Sequence, residues 1–167
     1  MSTSRLQTRL SRHGILLTLL GSLGILAAAF AYEAITGLLP CPLCWLQRGV
    51  FAGLAGLSLI AFFLQKYQWM RWPLTALYLL ISVTGIGVAL RHLYIKMNPE
   101  TVSCGLDVQT LLDFFPLQEA ITQMLIGSAD CAQQADFLGL PLPTWSLTGY
   151  LLLGGLAIYS LISTRQA

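Results

Sequence analysis

The stretch GILLTLLGSLGILAAAFAY, residues 14–32, decides the fold of this protein. Its 19 residues carry no charge, and at about 1.5 Å per helical residue they cover the roughly 30 Å of a membrane's hydrocarbon core. The basic residues Arg5, Arg9 and Arg12 come directly before it. The stretch therefore predicts a first membrane-spanning helix with basic residues at its N-terminal end.

Three more apolar runs follow, at about residues 45–64, 72–90 and 144–162. Tryptophans lie near the ends of these runs, where indole rings favour the membrane interface. Charged residues make up only 10% of the chain, against roughly a quarter in soluble domains. We therefore predict an all-α membrane protein, a four-transmembrane-helix bundle, in which residues 1–167 form a single integral membrane domain.

The composition also excludes several classes of function. A net charge of +2 is too small to indicate nucleic-acid binding, and the sequence contains no glycine-rich phosphate loop and no HExxH metal motif.

Within the second run, Gly49-xxx-Gly53 has the spacing that allows transmembrane helices to approach closely.

A cleavable signal peptide is the alternative interpretation of the N-terminus. The basic segment, the apolar run and Ala29-Phe30-Ala31 resemble such a peptide and its cleavage site. The apolar run is long for a signal peptide, so we favour a retained helix.

The charges beside the four runs predict the orientation in the membrane. One side carries only basic residues: Arg5, Arg9, Arg12, Lys66, Arg71 and Arg165. The other side carries Arg48, Arg91 and Lys96 together with all the acids: Glu33, Glu100, Asp107, Asp113, Glu119, Asp130 and Asp136. By the positive-inside rule the first side is cytoplasmic. Both termini are then inside, and the loops at about residues 33–44 and 91–143, which hold every cysteine, are outside.

The long loop is predicted to contain helix. Between Val108 and Leu125 apolar residues recur at helical spacing, and Pro116 interrupts the pattern. A short helix, or two, lying in the membrane interface fits this mixture of residues. A loop helix packed on the bundle fits it equally well.

The four cysteines form two unlike pairs. Cys41 and Cys44 flank a two-residue spacer at the mouth of the second run, whereas Cys104 and Cys131 lie in the long loop. Structural disulfides are an ordinary explanation for the loop pair. A Cys-x-x-Cys disulfide closes a ring too small to stabilise much, and its spacing is better suited to redox exchange. Four cysteines allow three complete pairings, and spacing leaves these open.

The start of the second helix should activate its cysteines. Pro42 suits the first helical position, which places Cys41 at the N-cap and Cys44 in the first turn. Unpaired N–H groups and the positive end of the helix dipole then favour thiolate at both sulfurs. Arg48 lies four residues beyond Cys44 on the same face, and a guanidinium in a membrane helix is a candidate functional group. Snorkelling to the interface is the alternative for Arg48.

A zinc site is the chemical competitor of disulfide exchange. Four cysteines with one Cys-x-x-Cys can form a Cys₄ site. Here the second half lacks the close spacing, and an external loop favours disulfides. We therefore expect no metal in the site.

The residues together resemble those of the DsbB family, bacterial inner-membrane quinone reductases that reoxidise the periplasmic dithiol oxidase DsbA. The resemblance covers nearly the whole chain. It rests on CPLCWLQR at residues 41–48, the loop cysteines Cys104 and Cys131, and DFLGL at residues 136–140 with Pro143 and Trp145.

The resemblance implies a role for each cysteine. Cys104 would form the mixed disulfide with a DsbA-like partner of thioredoxin fold, and Cys131 would be the disulfide mate of Cys104. Cys41 and Cys44 would form the quinone-coupled pair, with Cys44 nearest the ring and Cys41 exchanging with Cys131. The protein would then be a quinone-dependent dithiol oxidoreductase of the bacterial inner membrane.

The resemblance also implies the cofactor and its contacts. Ubiquinone or menaquinone from the membrane pool would bind non-covalently or as a transient Cys44 adduct. Arg48 would sit at the quinone, and His92 is the nearest match to a histidine that approaches the quinone in family members. An ordinary interfacial histidine is the alternative for His92.

Two other functions are consistent with the cysteines and the four apolar runs. A non-enzymatic membrane scaffold with structural disulfides would recognise its partner through the long loop. An enzyme similar to vitamin K epoxide reductase would also link thiols to a quinone in a four-helix bundle. In that family the loop cysteines precede the Cys-x-x-Cys pair, whereas here Cys41 and Cys44 come first.

Overall fold

A computed structural model describes residues 2–134 and 136–163 of the chain. Four of its helical segments are long and apolar enough to cross a membrane, namely Ser11–Thr36, Pro42–Leu64, Gln68–Met97 and Leu142–Ser163. The predicted four-helix membrane bundle is therefore confirmed. Arg165, one of the residues used to predict orientation, lies outside the described residues.

The elements follow one another with short connections. Helices α1 (Ser2–Thr36), α2 (Pro42–Leu64) and α3 (Arg71–Met97) come first, with a 3₁₀ turn at Gln68–Met70 before α3. The long loop holds a 3₁₀ turn (Pro99–Thr101), helices α4 (Val108–Phe114), α5 (Leu117–Ile126) and α6 (Ala129–Gln133), and strands β1 (Asp136–Phe137) and β2 (Leu140–Pro141). The fourth span consists of α7 (Leu142–Gly149), a π-helical stretch (Tyr150–Gly154) and α8 (Gly155–Ser163).

Glycine and proline set the short connection between α1 and α2. Gly37 ends α1 with a φ of +68°, a left-handed conformation that favours glycine. Its N–H donates to the carbonyl of Glu33 over 2.8 Å. Pro42 then occupies the first position of α2, and Cys41 is its extended N-cap residue. The sequence prediction for this helix start is therefore confirmed.

The long loop is mostly helical and packs on the bundle. Pro116 separates α4 from α5, at the position where the sequence pattern was interrupted. Asp107 caps α4 by accepting hydrogen bonds from Thr110, which hold the pKa of Asp107 below its usual value. Leu111, Ala120 and Met124 are buried together, with Leu46 of α2 packed against them. The structure thus favours the packed loop over one that lies only in the interface.

A buried aromatic pair joins α2 to the fourth span. The rings of Phe51 and Tyr150 stack with centroids 4.3 Å apart. The Tyr150 hydroxyl also donates to the backbone carbonyl of Gln47 over 2.9 Å. Because both rings are almost fully buried, this contact fixes the fourth span against the N-terminal half of α2, the half that carries Cys44.

Small residues allow close helix contacts, although at different positions from those predicted. Among the described residues no atom lies within 4 Å of a Cβ placed at Gly49, and at Gly53 the nearest is 3.9 Å away. The interpretation of Gly49-xxx-Gly53 as a contact motif is therefore wrong. The close approach occurs at Gly85, where a Cβ would lie 2.8 Å from Val50 and 2.9 Å from Tyr150. The spacing alone does not tell which face of a helix meets a neighbour.

We expect Gly85→Ala to destabilise the bundle by about 1–3 kcal/mol, because the added methyl group overpacks the contact of α3 with Val50 and Tyr150. Gly87→Ala is the matched control, since nothing lies within 4 Å of a Cβ at that position on the same helix. Unfolding of both variants in mixed micelles of increasing SDS fraction measures the difference. Equal stability of the two variants would contradict this packing.

Candidate functional site

Cys41 and Cys44 lie at the N-terminus of α2 in unlike surroundings. All four cysteines are free thiols in the structure. The two sulfurs lie 3.2 Å apart. Cys41 is only 2% exposed and belongs to a small apolar cluster, whereas Cys44 is half-buried and lines a cavity. One sulfur thus faces the protein interior and the other faces the cavity.

Cys131 of the long loop is packed against Cys41. It lies on the short helix α6 and is fully buried in the same apolar cluster as Cys41 and Leu43. Its sulfur accepts hydrogen bonds from the Cys41 thiol and from backbone N–H groups that include that of Leu43. The two pairs predicted from the sequence therefore meet in space through Cys41 and Cys131.

The contact between Cys41 and Cys131 separates their pKa values. The hydrogen bond from Cys41 is the main cause that lowers the pKa of Cys131 to about 6. Burial, together with the hydrogen bond to Cys131, raises the pKa of Cys41. The expectation that the start of the helix favours thiolate at Cys41 is therefore wrong, because desolvation outweighs the helix dipole there. The favoured thiolate of this pair belongs to Cys131.

Cys104 is exposed, and its segment lies beside α6, the helix that carries Cys131. It falls in the segment between the 3₁₀ turn and α4. The neighbouring Ser103 carbonyl accepts from the N–H of Ala129 over 3.1 Å, and a Cβ at Gly105 would lie 2.6 Å from that of Ser128. The segment around Cys104 therefore runs along the start of α6, and the Cys104 thiol is exposed.

His92 lies among the cysteines. It is fully buried on α3, with its Nε2 3.9 Å from the Cys41 sulfur and 3.2 Å from the Cys131 carbonyl oxygen. Its Nδ1 is 3.2 Å from the Gln47 amide nitrogen. His92 is not among the residues that line the cavity described below. Its predicted approach to a quinone stays a prediction, and its observed neighbours are thiols.

The cavity beside Cys44 is large and mostly apolar. It has a volume of about 470 Å³ and lies between α1, α2, α7 and the antiparallel strand pair β1–β2. On α2 its wall is formed by Cys44, Gln47, Arg48 and Phe51, which share one helical face. Apolar cavities of a few hundred cubic ångströms with few polar groups are typical of sites for small organic molecules. The chemistry of this wall fits an apolar ring with polar substituents.

Arg48 is held inside the protein by specific partners. Its guanidinium donates to Glu33 Oε2 over 2.5 Å and to the Ala29 carbonyl over 3.1 Å. It lies 4.6 Å from the centre of the Phe30 ring, a cation–π geometry. With a side chain only 12% exposed, Arg48 does not snorkel. Its predicted position on the face of Cys44 is where the structure places it.

Sequence reasoning did not identify Glu33, Gln47 or Lys96 as part of this site. Glu33 lines the cavity with Arg48. Lys96 contacts the Gln134 carbonyl and pairs with Asp136 at 2.6 Å, which holds the chain after Cys131 against α3. An acid one residue beyond an uncharged membrane span was the available signal for Glu33, because such residues need a partner. No sequence signal paired Lys96 with Asp136, since 40 residues separate them.

Comparison with known proteins identifies the family of this chain. Residues 11–160 match the family model described as disulfide bond formation protein DsbB. Disulfide bond formation protein B of Alkalilimnicola ehrlichii is 42% identical over 156 residues, which cover 93% of this chain and 96% of that protein. The proteins of the same name from Nitrosococcus oceani and Saccharophagus degradans are 32% and 33% identical, over 82% and 89% of this chain and 83% and 91% of theirs.

The match spans all four helices and all four cysteines, and the cysteines of the two loops meet at one end of the bundle. The chain is therefore a multi-pass membrane oxidoreductase of disulfide bond formation, and it belongs to the DsbB family.

Proposed function

We propose that this protein reoxidises a DsbA-like periplasmic dithiol protein and passes the electrons through its two cysteine pairs to a membrane quinone. The observation that carries the proposal is the position of three sulfurs. Cys131 of the loop is packed on Cys41, and Cys44, 3.2 Å from Cys41, lines the apolar cavity. This is a continuous path for disulfide exchange from the loop to the cavity.

The path begins at the exposed loop cysteine. A partner thiolate attacks Cys104 of a Cys104–Cys131 disulfide, so that a mixed disulfide forms and Cys131 leaves as a thiolate. Backbone N–H groups of Ser128 and Leu43 donate to the Cys131 sulfur and favour its departure as a thiolate. Cys104 is the accessible member of the pair, so the partner attacks there.

The next exchange takes place between Cys131 and the Cys41–Cys44 disulfide. The Cys131 thiolate attacks Cys41 of a Cys41–Cys44 disulfide, which forms Cys41–Cys131 and releases Cys44. The second partner thiol then displaces Cys104, and Cys104 displaces Cys41 from Cys131. The partner is now oxidised, the loop disulfide is restored, and Cys41 and Cys44 together hold the two electrons as a dithiol.

The cavity beside Cys44 would hold the quinone. Its apolar wall suits the ring, and the Arg48 guanidinium would donate hydrogen bonds to a quinone oxygen. When bound, a quinone of the membrane pool would accept the two electrons and two protons that Cys41 and Cys44 give up as their disulfide re-forms. Glu33 keeps Arg48 in place, and the surrounding apolar residues exclude water, which strengthens the charged hydrogen bonds.

The orientation in the membrane follows from the charges beside the spans. The two termini and the connection between α2 and α3 carry basic residues without acids. The positive-inside rule supports a cytoplasmic position for these three segments in a bacterial inner membrane. The cysteines then face the periplasm, where a DsbA-like protein is found and disulfides persist. The lipid bilayer supplies the quinone.

We expect Cys44→Ala to abolish quinone reduction by the reduced partner, because Cys41 then has no sulfur with which to form a disulfide at the cavity. The measurement is the loss of absorbance of a soluble ubiquinone analogue in the presence of purified protein and reduced DsbA-like partner. Wild-type protein without partner is the control. Normal turnover by the variant, or redox-inert thiols in the wild type, would refute the relay and favour a scaffold with structural disulfides.

Cys104→Ala and Cys131→Ala should fail in different ways. Without Cys104 the protein captures no partner covalently, although quinone still oxidises Cys41 and Cys44. Without Cys131, Cys104 has no disulfide for a reduced partner to attack, so no mixed disulfide forms, but the exposed Cys104 thiol still reacts with maleimide. Non-reducing gels with a maleimide quench distinguish the two.

In whole cells, Cys104 of the wild-type protein should react with a membrane-impermeant maleimide once the Cys104 disulfide has been reduced. Labelling only after the inner membrane is opened would contradict the proposed orientation, and covalent capture of the partner by Cys104→Ala would contradict the proposed order of exchange.

Arg48→Ala should raise the apparent KM for the quinone analogue about tenfold or more, because a hydrogen bond from a charged group contributes about 1.5–3 kcal/mol and tenfold corresponds to about 1.4 kcal/mol of binding. Glu33→Gln should raise the KM less, because the amide still accepts a hydrogen bond from Arg48. Arg12→Ala, which removes a cation packed on Phe62 away from the cavity, is the control. An unchanged KM in Arg48→Ala would leave the Glu33–Arg48 pair as a structural contact.

A further inference from the structure

The reduced form of the cysteine cluster has the composition of a metal site. The Cys41 and Cys44 sulfurs and a ring nitrogen of His92 all lie within 4.8 Å of one another. Cys131 packs on Cys41 in the same buried cluster but is not part of this close set, so its sulfur has to shift to become a fourth ligand. Three thiols and one imidazole are a common ligand set for zinc, and a two-residue spacer is common between its cysteine ligands.

The distances suit tetrahedral coordination. Bonds of about 2.3 Å to sulfur and 2.0–2.1 Å to nitrogen require ligand atoms about 3.6–3.8 Å apart. The Cys41 and Cys44 sulfurs are 3.2 Å apart, and the Cys41 sulfur is 3.9 Å from His92 Nε2. These two distances therefore need to change by about half an ångström at most, and the Cys44 sulfur lies within 4.8 Å of the His92 ring nitrogen.

Gln47 supplies the outer support that a histidine ligand needs. Its side-chain amide lies 3.2 Å from His92 Nδ1 and is almost fully buried. A metal-bound histidine usually donates its second N–H to an acceptor, which fixes the ring. The amide oxygen of Gln47 provides that acceptor when the amide turns over, an exchange of nitrogen and oxygen that leaves its shape unchanged.

We propose that Cys41, Cys44, Cys131 and His92 form a tetrahedral site for Zn²⁺ or another soft divalent metal ion when all four cysteines are reduced, and that disulfide formation abolishes the site. Either disulfide of Cys41 removes two of the four ligands. The half-buried Cys44 on the cavity wall gives the ion a route of entry. Bound metal keeps Cys41, Cys44 and Cys131 as thiolates and so blocks their exchange.

The site itself requires only the reduced thiols, whereas its effect on electron transfer rests on the proposed function. The proposal departs from the expectation of no metal, which compared a Cys₄ zinc site with disulfides and did not include His92. Under the proposal a protein that lacks an oxidant holds metal, and metal has to leave before the relay restarts. The structure thus assigns the buried His92 and Gln47 a role that the relay steps above do not use.

The test is a Co²⁺ titration of the purified full-length protein, reduced with a phosphine under anaerobic conditions. Co²⁺ reports tetrahedral thiolate ligands through its visible and charge-transfer absorbance. We expect one Co²⁺ per chain with a tetrahedral thiolate spectrum, displacement by Zn²⁺, and no spectrum after oxidation of the cysteines. Cys104→Ser is the matched control and should bind Co²⁺ as the wild type does, because Cys104 lies outside the ligand set.

Cys41→Ser should lose the tetrahedral spectrum, His92→Ala should weaken Co²⁺ binding at least about tenfold, and Gln47→Leu should weaken it about 10–100-fold without changing the stoichiometry. Circular dichroism and elution volume show that each variant is folded, and Cys44→Ser provides a second ligand variant. Absence of the spectrum in reduced wild type, its survival in folded Cys41→Ser, or its loss in Cys104→Ser overturns the proposal.

Quinone reduction by the same metal-free wild-type preparation separates the two proposals. Quinone reduction without Co²⁺ binding overturns the metal site alone. Co²⁺ binding without quinone reduction supports the metal site and overturns the relay.

Discussion

The start of α2 at Pro42 is the constraint on which the arrangement of the site depends. Proline has no N–H to donate and its φ suits the first helical turn, so the helix begins there and the preceding Cys41 is extended. Cys41 therefore turns into the interior, whereas Cys44 and Arg48 lie on successive turns that face the cavity. One helix start thus gives two neighbouring sulfurs opposite environments.

The bilayer restricts the positions that polar and charged groups can occupy in this protein. A membrane-spanning backbone has to satisfy its hydrogen bonds internally, which leaves the ends of helices as the places where polar chemistry is possible. Here the ends of α1, α2, α3 and α7 meet, and Glu33 compensates the charge of Arg48 at 2.5 Å within this end of the bundle. An unpaired guanidinium at that depth would be costly. The ion pair is therefore a condition for a charged group to line an otherwise apolar cavity.

The long loop contributes a buried residue, which its polar composition alone does not suggest. Cys131 is fully buried on α6, and the chain beyond it is held to α3 by the ion pair of Lys96 with Asp136. Cys104 remains exposed on the neighbouring segment. The loop pair is therefore divided in the same way as the helix pair, with one sulfur open and the other inside. The two inner sulfurs, Cys41 and Cys131, are the ones in contact.

The sequence by itself determined the four spans, the helix start at Pro42, the break at Pro116 and the identity of the cysteines, because hydropathy, proline geometry and residue type act over short distances along the chain. Only the tertiary structure decided that Cys131 meets Cys41, that Glu33 holds Arg48, that Gln47 supports His92 and that Gly85 rather than Gly49 lies at a helix contact. These outcomes depend on which faces of the helices meet. Periodicity gives the faces of each helix, but the partner of a face is set by packing between residues far apart in the chain.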